Sequence, residues 1–300
     1  MYPGGKGNCY QQIINQMTPH SVYIEPFLGH GYVMKAKRPA ALNIGIELNR
    51  DVLLTAASSI VSCGDKVREN GRIANYDERI PLPAHTVNNG DEGPPSAGNT
   101  VTFGDVVQHR HLWRCRPSPI ASSGDAAARF VFLCGDSLDF LQSQTFTGCE
   151  FIYCDPPYLM DTRSSQRPLY DFEFGDCEQH ERLLSVLLDL PCPVAISGYW
   201  SELYADMLSQ WRTHSFEAVT RSGNMAQEWL WMNYQEPRAL HDYSYLGDDF
   251  RERERIKRKA ERWVKRFSSL PELERKAVLS RLARADLIAI SGDMDQQKIL

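Results

Sequence analysis

Cys149-Glu-Phe-Ile-Tyr-Cys-Asp-Pro-Pro-Tyr158 decides how the rest of the chain is read. Phe151 to Cys154 is a short apolar run that predicts a buried strand. Asp155-Pro156-Pro157-Tyr158 cannot continue it. Each proline lacks an N–H and fixes φ, and Asp155 is held extended by the proline after it. The expected product is a stiff loop at the C-terminal end of a strand. It presents one carboxylate, two backbone carbonyls without competing amide donors, and one aromatic face. A planar amino group on an aromatic ring needs that set: in-line acceptors for its hydrogens and a ring to stack on. An ordinary strand exit through a Pro-Pro turn would look the same in isolation, so the surrounding sequence has to arbitrate.

Upstream, Phe130-Val-Phe-Leu-Cys-Gly-Asp136 reads as a strand ending in an acid, with a helix starting at Ser137. Asp136 at that strand end could accept from the exocyclic amine of an adenine ring. Val22-Tyr-Ile-Glu-Pro-Phe-Leu-Gly-His-Gly31 predicts a strand, a turn with glycines at 29 and 31, and a helix over 32–36. In this arrangement backbone rather than side chain faces a nucleotide-like ligand. Asn43 to Leu48 gives the next strand, and Glu47 at its end is placed to take ribose hydroxyls. Downstream, Leu159 to Gly175 is a loop carrying Arg163, Arg167 and Tyr170, and His180 to Leu190 is an amphipathic helix. Strands follow over 193–199, 215–221 and 229–234, which makes seven.

Net charge is −5 over 300 residues, so the chain is no polycation and a nucleic-acid surface has to be local. The eight cysteines form no Cys-x-x-Cys pair, and several fall in apolar runs, as expected of reduced thiols in a cytoplasmic protein. No apolar leader or membrane-length run is seen, so no membrane partner is expected. Tyr2-Pro-Gly-Gly-Lys-Gly7 is a glycine-rich loop whose Lys6 could neutralise the carboxylate of a small ligand. Residues 52–129 read as an insertion. They open with a helix over 52–63, turn loop-like over 70–99, and carry His109, Arg110, His111, Trp113, Arg114 and Arg116 together. Cations mixed with an aromatic suit a nucleic-acid backbone and its bases. His109, His111 and Cys115 lack a second ligand pair, so no metal is expected.

Tyr2-Pro-Gly-Gly-Lys6, Glu25-Pro-Phe-Leu-Gly-His-Gly31, Asp155-Pro-Pro-Tyr158 and Glu228-Trp-Leu-Trp231, in that order, resemble the Dam-type DNA adenine-N6 methyltransferases. The likeness covers roughly residues 1–51 and 130–235. It implies an α/β, Rossmann-like seven-stranded class I methyltransferase fold whose last strand is reversed. An inserted target-recognition region over 52–129 and a basic helical C-terminal extension over 236–300 complete the expected organisation. By that resemblance Tyr2, Lys6, Glu47 and Asp155 would contact S-adenosylmethionine, with Glu25, Phe27, Gly29, Gly31 and Asp136 around its pocket. Asp155, Pro156 and Tyr158 would be catalytic, and no metal is implied. Double-stranded DNA, with the target adenine flipped out, would be the partner, and a cognate restriction enzyme is compatible with this reading. RNA adenine or cytosine-N4 methylation would use the same parts, and a catalytically idle DNA-binding relative would keep the fold.

The chemistry follows from the residues. Adenine N6 is a poor nucleophile because its lone pair is delocalised into the ring. Asp155 and the Pro156 carbonyl can accept its two hydrogens, while Tyr158 stacks on the base. Cytosine-C5 chemistry needs a nucleophilic cysteine after a proline, and Pro191-Cys192 leads into a strand instead of leaving one. Finally, 249–267 places Ile256, Ala260, Trp263, Val264 and Phe267 on one helical face, with nine Lys/Arg against three Glu between Arg251 and Arg266. Lys257 and Arg258 on this helix would meet phosphates, and Arg110, Arg114, Arg116, Arg163 and Arg167 would approach DNA from the insertion and the following loop. Ser269-Leu-Pro-Glu272 predicts a capping box opening a last helix to about 285, with frayed residues beyond.

Overall fold

The computed structural model describes residues 5–61, 71–75, 128–162, 174–219 and 223–296. The chain divides into two units, residues 1–242 and 243–300. The first is built on an eight-stranded sheet. Its strands are β1 (Val22–Pro26), β2 (Leu42–Glu47), β3 (Gly71–Asn75), β4 (Arg129–Cys134), β5 (Glu150–Cys154), β6 (Val194–Gly198), β7 (Arg212–Val219) and β8 (Met225–Met232). Their spatial order is β3-β4-β2-β1-β5-β6-β8-β7. All neighbours run parallel except β8, which lies antiparallel between β6 and β7. From β4 to β7 this is the order, with the reversed strand, of the class I methyltransferase fold.

The seven expected strands are present, and β3 is an eighth. Residues 70–99 read as loop in sequence because Gly, Asn and Asp crowd the segment. The open edge of β4 nevertheless offers a ladder, and Gly71–Asn75 pairs along it.

The sheet is covered on both faces, which is why its parallel strands read as apolar runs and not as alternating ones. One face contributes Ile24, Ile44, Ile46, Val131, Leu133, Ile152, Val194 and Ile196. They pack on α4 (Ser137–Ser143), α5 (Cys177–Leu188) and α6 (Glu202–Met207) through Leu138, Leu141, Leu183, Leu184, Leu187 and Tyr204. The other face carries Tyr23, Phe130, Phe132, Phe151 and Tyr153, all buried. On that side lie α1 (Tyr10–Ile14), α2 (Tyr32–Ala36) and α3 (Arg50–Val61), with Ile13, Ile14, Met34, Leu53, Ala56 and Ile60 buried.

Residues 235–242 are held to the first unit. The His241 ring stacks on His20 at 3.7 Å, and Asp242 accepts from the Arg38 amide at 2.7 Å. Burial leads in pushing the His241 imidazole down to about 4.

Among the described residues Cys9, Cys134, Cys154, Cys177 and Cys192 are free thiols. The second unit holds α7 (Phe250–Ser268) and α8 (Glu272–Gln296). Asp249 caps α7 by accepting from the Glu252 amide. The predicted capping box at Ser269 does not form: its hydroxyl donates to the Arg266 carbonyl at 2.7 Å and closes α7 instead. The last helix also runs past the expected end near 285, to Gln296.

Candidate active site

The loop after β5 lies at the C-terminal edge of the parallel strands, and its geometry comes from three sides. Asp155 shares a sheet face with Tyr153, its neighbour two residues back, and with Ser197 on β6. The Ser197 hydroxyl donates to Asp155 Oδ1 at 2.9 Å. Because that single proton goes to Asp155, the Tyr153 hydroxyl, 2.9 Å from Ser197 Oγ, is the donor of their contact. From the N-terminal loop, Lys6 Nζ donates to the same Oδ1 at 2.7 Å. Oδ1 is therefore held twice, while among the described residues Oδ2 accepts no hydrogen bond. The free oxygen is the one presented at the edge.

Tyr158 is held by its hydroxyl as well as its ring. The oxygen accepts from Lys6 Nζ at 2.7 Å and donates to Glu228 Oε2 on β8 at 3.1 Å. The ring meets Tyr199 edge-on, with centroids 4.7 Å apart. Below the loop, His180 is 1% exposed and acts as a staple. Its Nε2 lies 3.1 Å from the carbonyls of both Pro157 and Phe174, so that nitrogen carries the proton. Nδ1 then accepts from the Tyr204 hydroxyl at 2.8 Å. Of the two proline carbonyls, that of Pro157 is engaged by the His180 ring, while among the described residues no donor reaches that of Pro156.

One cation faces two carboxylates in this network, since Lys6 is also 3.6 Å from Glu228. Lys6 is only 3% exposed, and burial alone would lower its pKa, but Asp155 and Glu228 outweigh that and hold the ammonium well above the usual lysine range. Asp155 is raised by burial, with Lys6 opposing. Burial foremost pushes the Cys192 thiol up to about 12 and raises Cys154 well above the usual thiol range.

Beyond β1 the chain turns sharply through left-handed backbone at Phe27 (φ 61), Gly29 (φ 51) and Gly31 (φ 62). At Gly31 the positive φ would strain any larger residue, and a Cβ would push the tip of the Ile60 side chain, 2.8 Å away, aside. Phe27, unusual at positive φ, is tied by its amide to Ser137 Oγ at 3.1 Å and by its ring to Phe174 at 5.2 Å. The Glu47 oxygens accept from the amides of Gly29 (2.8 Å) and Asn49 (2.9 Å). Burial raises the Glu47 pKa, with those amides opposing. Asp136 accepts from the amides of Leu138 and Asp139 through Oδ1, capping α4. Glu25 lies deeper than the sequence suggested: it is buried on the sheet face, where it accepts from the Tyr23 hydroxyl at 2.8 Å. Burial pushes its carboxyl up to about 8.

The C-terminal ends of β4, β2 and β5 thus carry Asp136, Glu47 and Asp155, with the glycine turn after β1 between them. This is where strand order reverses direction, the crevice in which open α/β sheets bind ligands. Such a set suits a ligand with a hydroxyl pair and an exocyclic amine. Acceptors remain: each Glu47 oxygen has a second lone pair, and Asp136 Oδ2 is not part of the helix cap.

The structure brings together Lys6, Asp155, Pro156 and Tyr158 at one strand end and Phe27, Gly29, Gly31, Glu47 and Asp136 along the same sheet edge. Tyr2, Arg110, Arg114, Arg116, Arg163 and Arg167 lie outside the described residues, as do His109, His111 and Cys115. Lys257 and Arg258 are in the second unit. Among the described residues no group of three or more His, Cys, Asp or Glu is arranged to hold a metal ion. Sequence reading missed Ser197, Tyr199 and His180 and gave Glu228 no role. Ser197 carried a signal, since strand alternation puts it on the face of Tyr153 and Asp155.

No protein-family model and no curated protein matches the chain. Solved structures do resemble it. TrmK of M. capricolum, in complex with S-adenosyl-homocysteine, is 7% identical with a TM-score of 0.36, over 91% of this chain and 93% of that one. A SAM-dependent methyltransferase of Methanosarcina mazei is 8% identical with a TM-score of 0.39, over 74% and 95%. Magnesium protoporphyrin IX methyltransferase of Synechocystis, with bound SAM, is 8% identical with a TM-score of 0.37, over 75% of each. The class I methyltransferase fold is identified by strand order and register, independently of these likenesses.

Proposed function

We propose that the protein transfers a methyl group from S-adenosylmethionine to N6 of an adenine flipped out of duplex DNA. The observation that carries this reading is the split role of the Asp155 carboxylate, with Oδ1 held by Lys6 and Ser197 and Oδ2 accepting no hydrogen bond among the described residues. An exocyclic amine in the plane of that loop would donate one hydrogen to Oδ2 and the other to the Pro156 carbonyl. Its lone pair is then drawn out of ring conjugation and set perpendicular to the base. The cofactor, when bound, supplies an electrophilic methyl on its sulfonium. Glu47 would take the ribose hydroxyls, Asp136 the adenine amine of the cofactor, and the glycine turn would let backbone approach.

The chain's own residues would do the rest. Lys6 and Ser197 keep Asp155 from rotating, so its orientation costs nothing at the moment of reaction. Positive charge develops on N6 as the methyl arrives, and the carboxylate stabilises it. Asp155, whose affinity for protons is raised by burial, is placed to take the proton that N6 must lose. Tyr158 stacks on the extruded base, a contact worth about 1–3 kcal/mol, with its ring held in place by Lys6 and Glu228.

The test is transfer of labelled methyl from S-adenosylmethionine to duplex DNA, single-stranded RNA and a cytosine-only duplex, followed by nucleoside analysis. N6-methyladenine from DNA alone supports the reading. N4-methylcytosine, or label in RNA alone, would move the assignment to those amines. No transfer to any nucleic acid would overturn it.

A further inference from the structure

We propose that one face of α7, formed by Arg251, Arg255, Arg258, Arg262 and Lys265, binds the phosphodiester backbone of a nucleic acid. These residues recur at i, i+4, i+7, i+11 and i+14, which at 3.6 residues per turn draws a straight stripe along the helix. They share one open face of the helix with Phe250, Glu254 and Glu261. The apolar residues Ile256, Ala260, Trp263, Val264 and Phe267 fall on the opposite side together with Arg253, and five of the nine cations between Arg251 and Arg266 share the stripe.

The stripe spans about 21 Å at 1.5 Å per residue, room for several phosphates of one strand. Four of its five members are arginines, whose planar fork matches phosphate oxygens in pairs. They are available for that purpose. Arg255 is 64% and Arg258 75% exposed, and their partners Glu252 and Glu254 are surface carboxylates of the kind phosphate contacts readily displace. The net charge of −5 makes such a concentration of cations the more telling. An anionic membrane also attracts cations set opposite an apolar face. Here, however, Arg253 falls in the apolar row three residues before Ile256, and the paired N–H groups of four arginines match phosphate oxygens, which favours a phosphodiester strand. Lys257, expected from sequence to share this task, is on another side of the helix.

The inference rests on the proposed function only for the class of partner, and it is tested separately from methyl transfer. Full-length protein is titrated with a 30-base-pair duplex over a range of salt concentrations. Arg258→Gln with Arg262→Gln, on the stripe, is compared with Lys257→Gln with Lys259→Gln, off it. Both pairs remove two charges from mid-helix, and circular dichroism checks helix content. The stripe pair should flatten the slope of log K against log salt by about 1.8, at about 0.9 for each phosphate contact, while the control pair changes it by less than half of one contact. Equal losses in both would mean diffuse attraction, and no loss in either a solvated helix; each overturns the proposal. So would phosphatidylserine vesicles bound through Trp263, lost in Trp263→Ala, with duplex affinity independent of the stripe. Methylation intact with an unchanged slope sinks this inference alone. Stripe-dependent duplex binding without methylation sinks the enzymatic reading alone.

Discussion

Replacing Asp155 by Asn tests the split carboxylate directly. Alanine is the poorer choice, because Lys6 is only 3% exposed and would lose its nearest partner. Removing one member of such a buried pair costs about 3–5 kcal/mol in stability. The isosteric amide can keep its oxygen toward Lys6 and Ser197, the only orientation that satisfies both donors. Its NH₂ then stands where Oδ2 was, a donor facing the N6 hydrogen that Oδ2 would accept. One charge-assisted bond is lost, about 1.5–3 kcal/mol, and the charge developing on N6 meets a positive dipole instead of a carboxylate. Together these put the loss near 4 kcal/mol, about a thousandfold in rate at 1.36 kcal/mol per factor of ten. The assay is single-turnover methyl transfer at saturating cofactor, with thermal unfolding on the same sample. A folded Asp155→Asn protein within tenfold of wild type would refute the role given to Oδ2. Ser197→Ala is the companion: it frees one hold on Oδ1 without touching the reacting atoms, and a fall of about tenfold to a hundredfold is expected.

Tyr158→Phe keeps the stacking face but removes the hydroxyl that bridges Lys6 and Glu228, leaving only their direct 3.6 Å pairing, so turnover should drop about tenfold, and Tyr158→Ala should fall further by the stacking energy of about 1–3 kcal/mol. Wild-type turnover in the Phe variant would show the hydroxyl to be a bystander. Glu47→Ala should weaken S-adenosylhomocysteine binding in calorimetry by at least tenfold while saturated turnover changes less; unchanged affinity would remove Glu47 from the cofactor site. Glu25 has a folded pKa of about 8 against an ordinary 4.5, so the native state holds a proton that the unfolded chain releases between those values. Its stabilising contribution is complete below about 4.5 and is lost as pH rises through 8, at about 1.4 kcal/mol per unit of difference. Denaturant midpoints should therefore fall with pH across that window, and Glu25→Gln should flatten the decline. An equally steep decline in the Gln variant would place the titrating group elsewhere.

The strands themselves were legible because parallel strands buried on both faces are nearly uninterrupted apolar runs, and Phe151 to Cys154 or Val194 to Ile196 admit few other readings; their order in the sheet was implied only by the family resemblance. The acids at strand ends were legible for a similar reason, since Glu47, Asp136 and Asp155 each stop such a run. What escaped is whatever depends on partners distant in sequence. His180 meets Pro157 and Tyr204 only after α5 folds back on the sheet, and from its helix it reads as an ordinary core residue. Glu228 becomes part of the site because β8 is threaded between β6 and β7, bringing it beside Lys6 from more than two hundred residues away. The edge strand β3 was hidden because its pairing is dictated by β4, not by its own weak propensity. Ser269 misled in the opposite direction: its spacing to Glu272 suits a cap, but the nearer Arg266 carbonyl wins the hydroxyl.

The two amides held by Glu47 have a use outside catalysis. Gly29 sits in the turn after β1 and Asn49 just beyond β2, and both lend their protons to one side chain. Anything that engages this carboxylate alters how often those two N–H groups open to solvent. Their deuterium uptake is therefore a built-in gauge of occupancy, readable by mass spectrometry or NMR on the unlabelled, unmutated chain with no substrate and no turnover. Paired protection at Gly29 and Asn49 would rank candidate ligands for the protein ahead of any turnover assay.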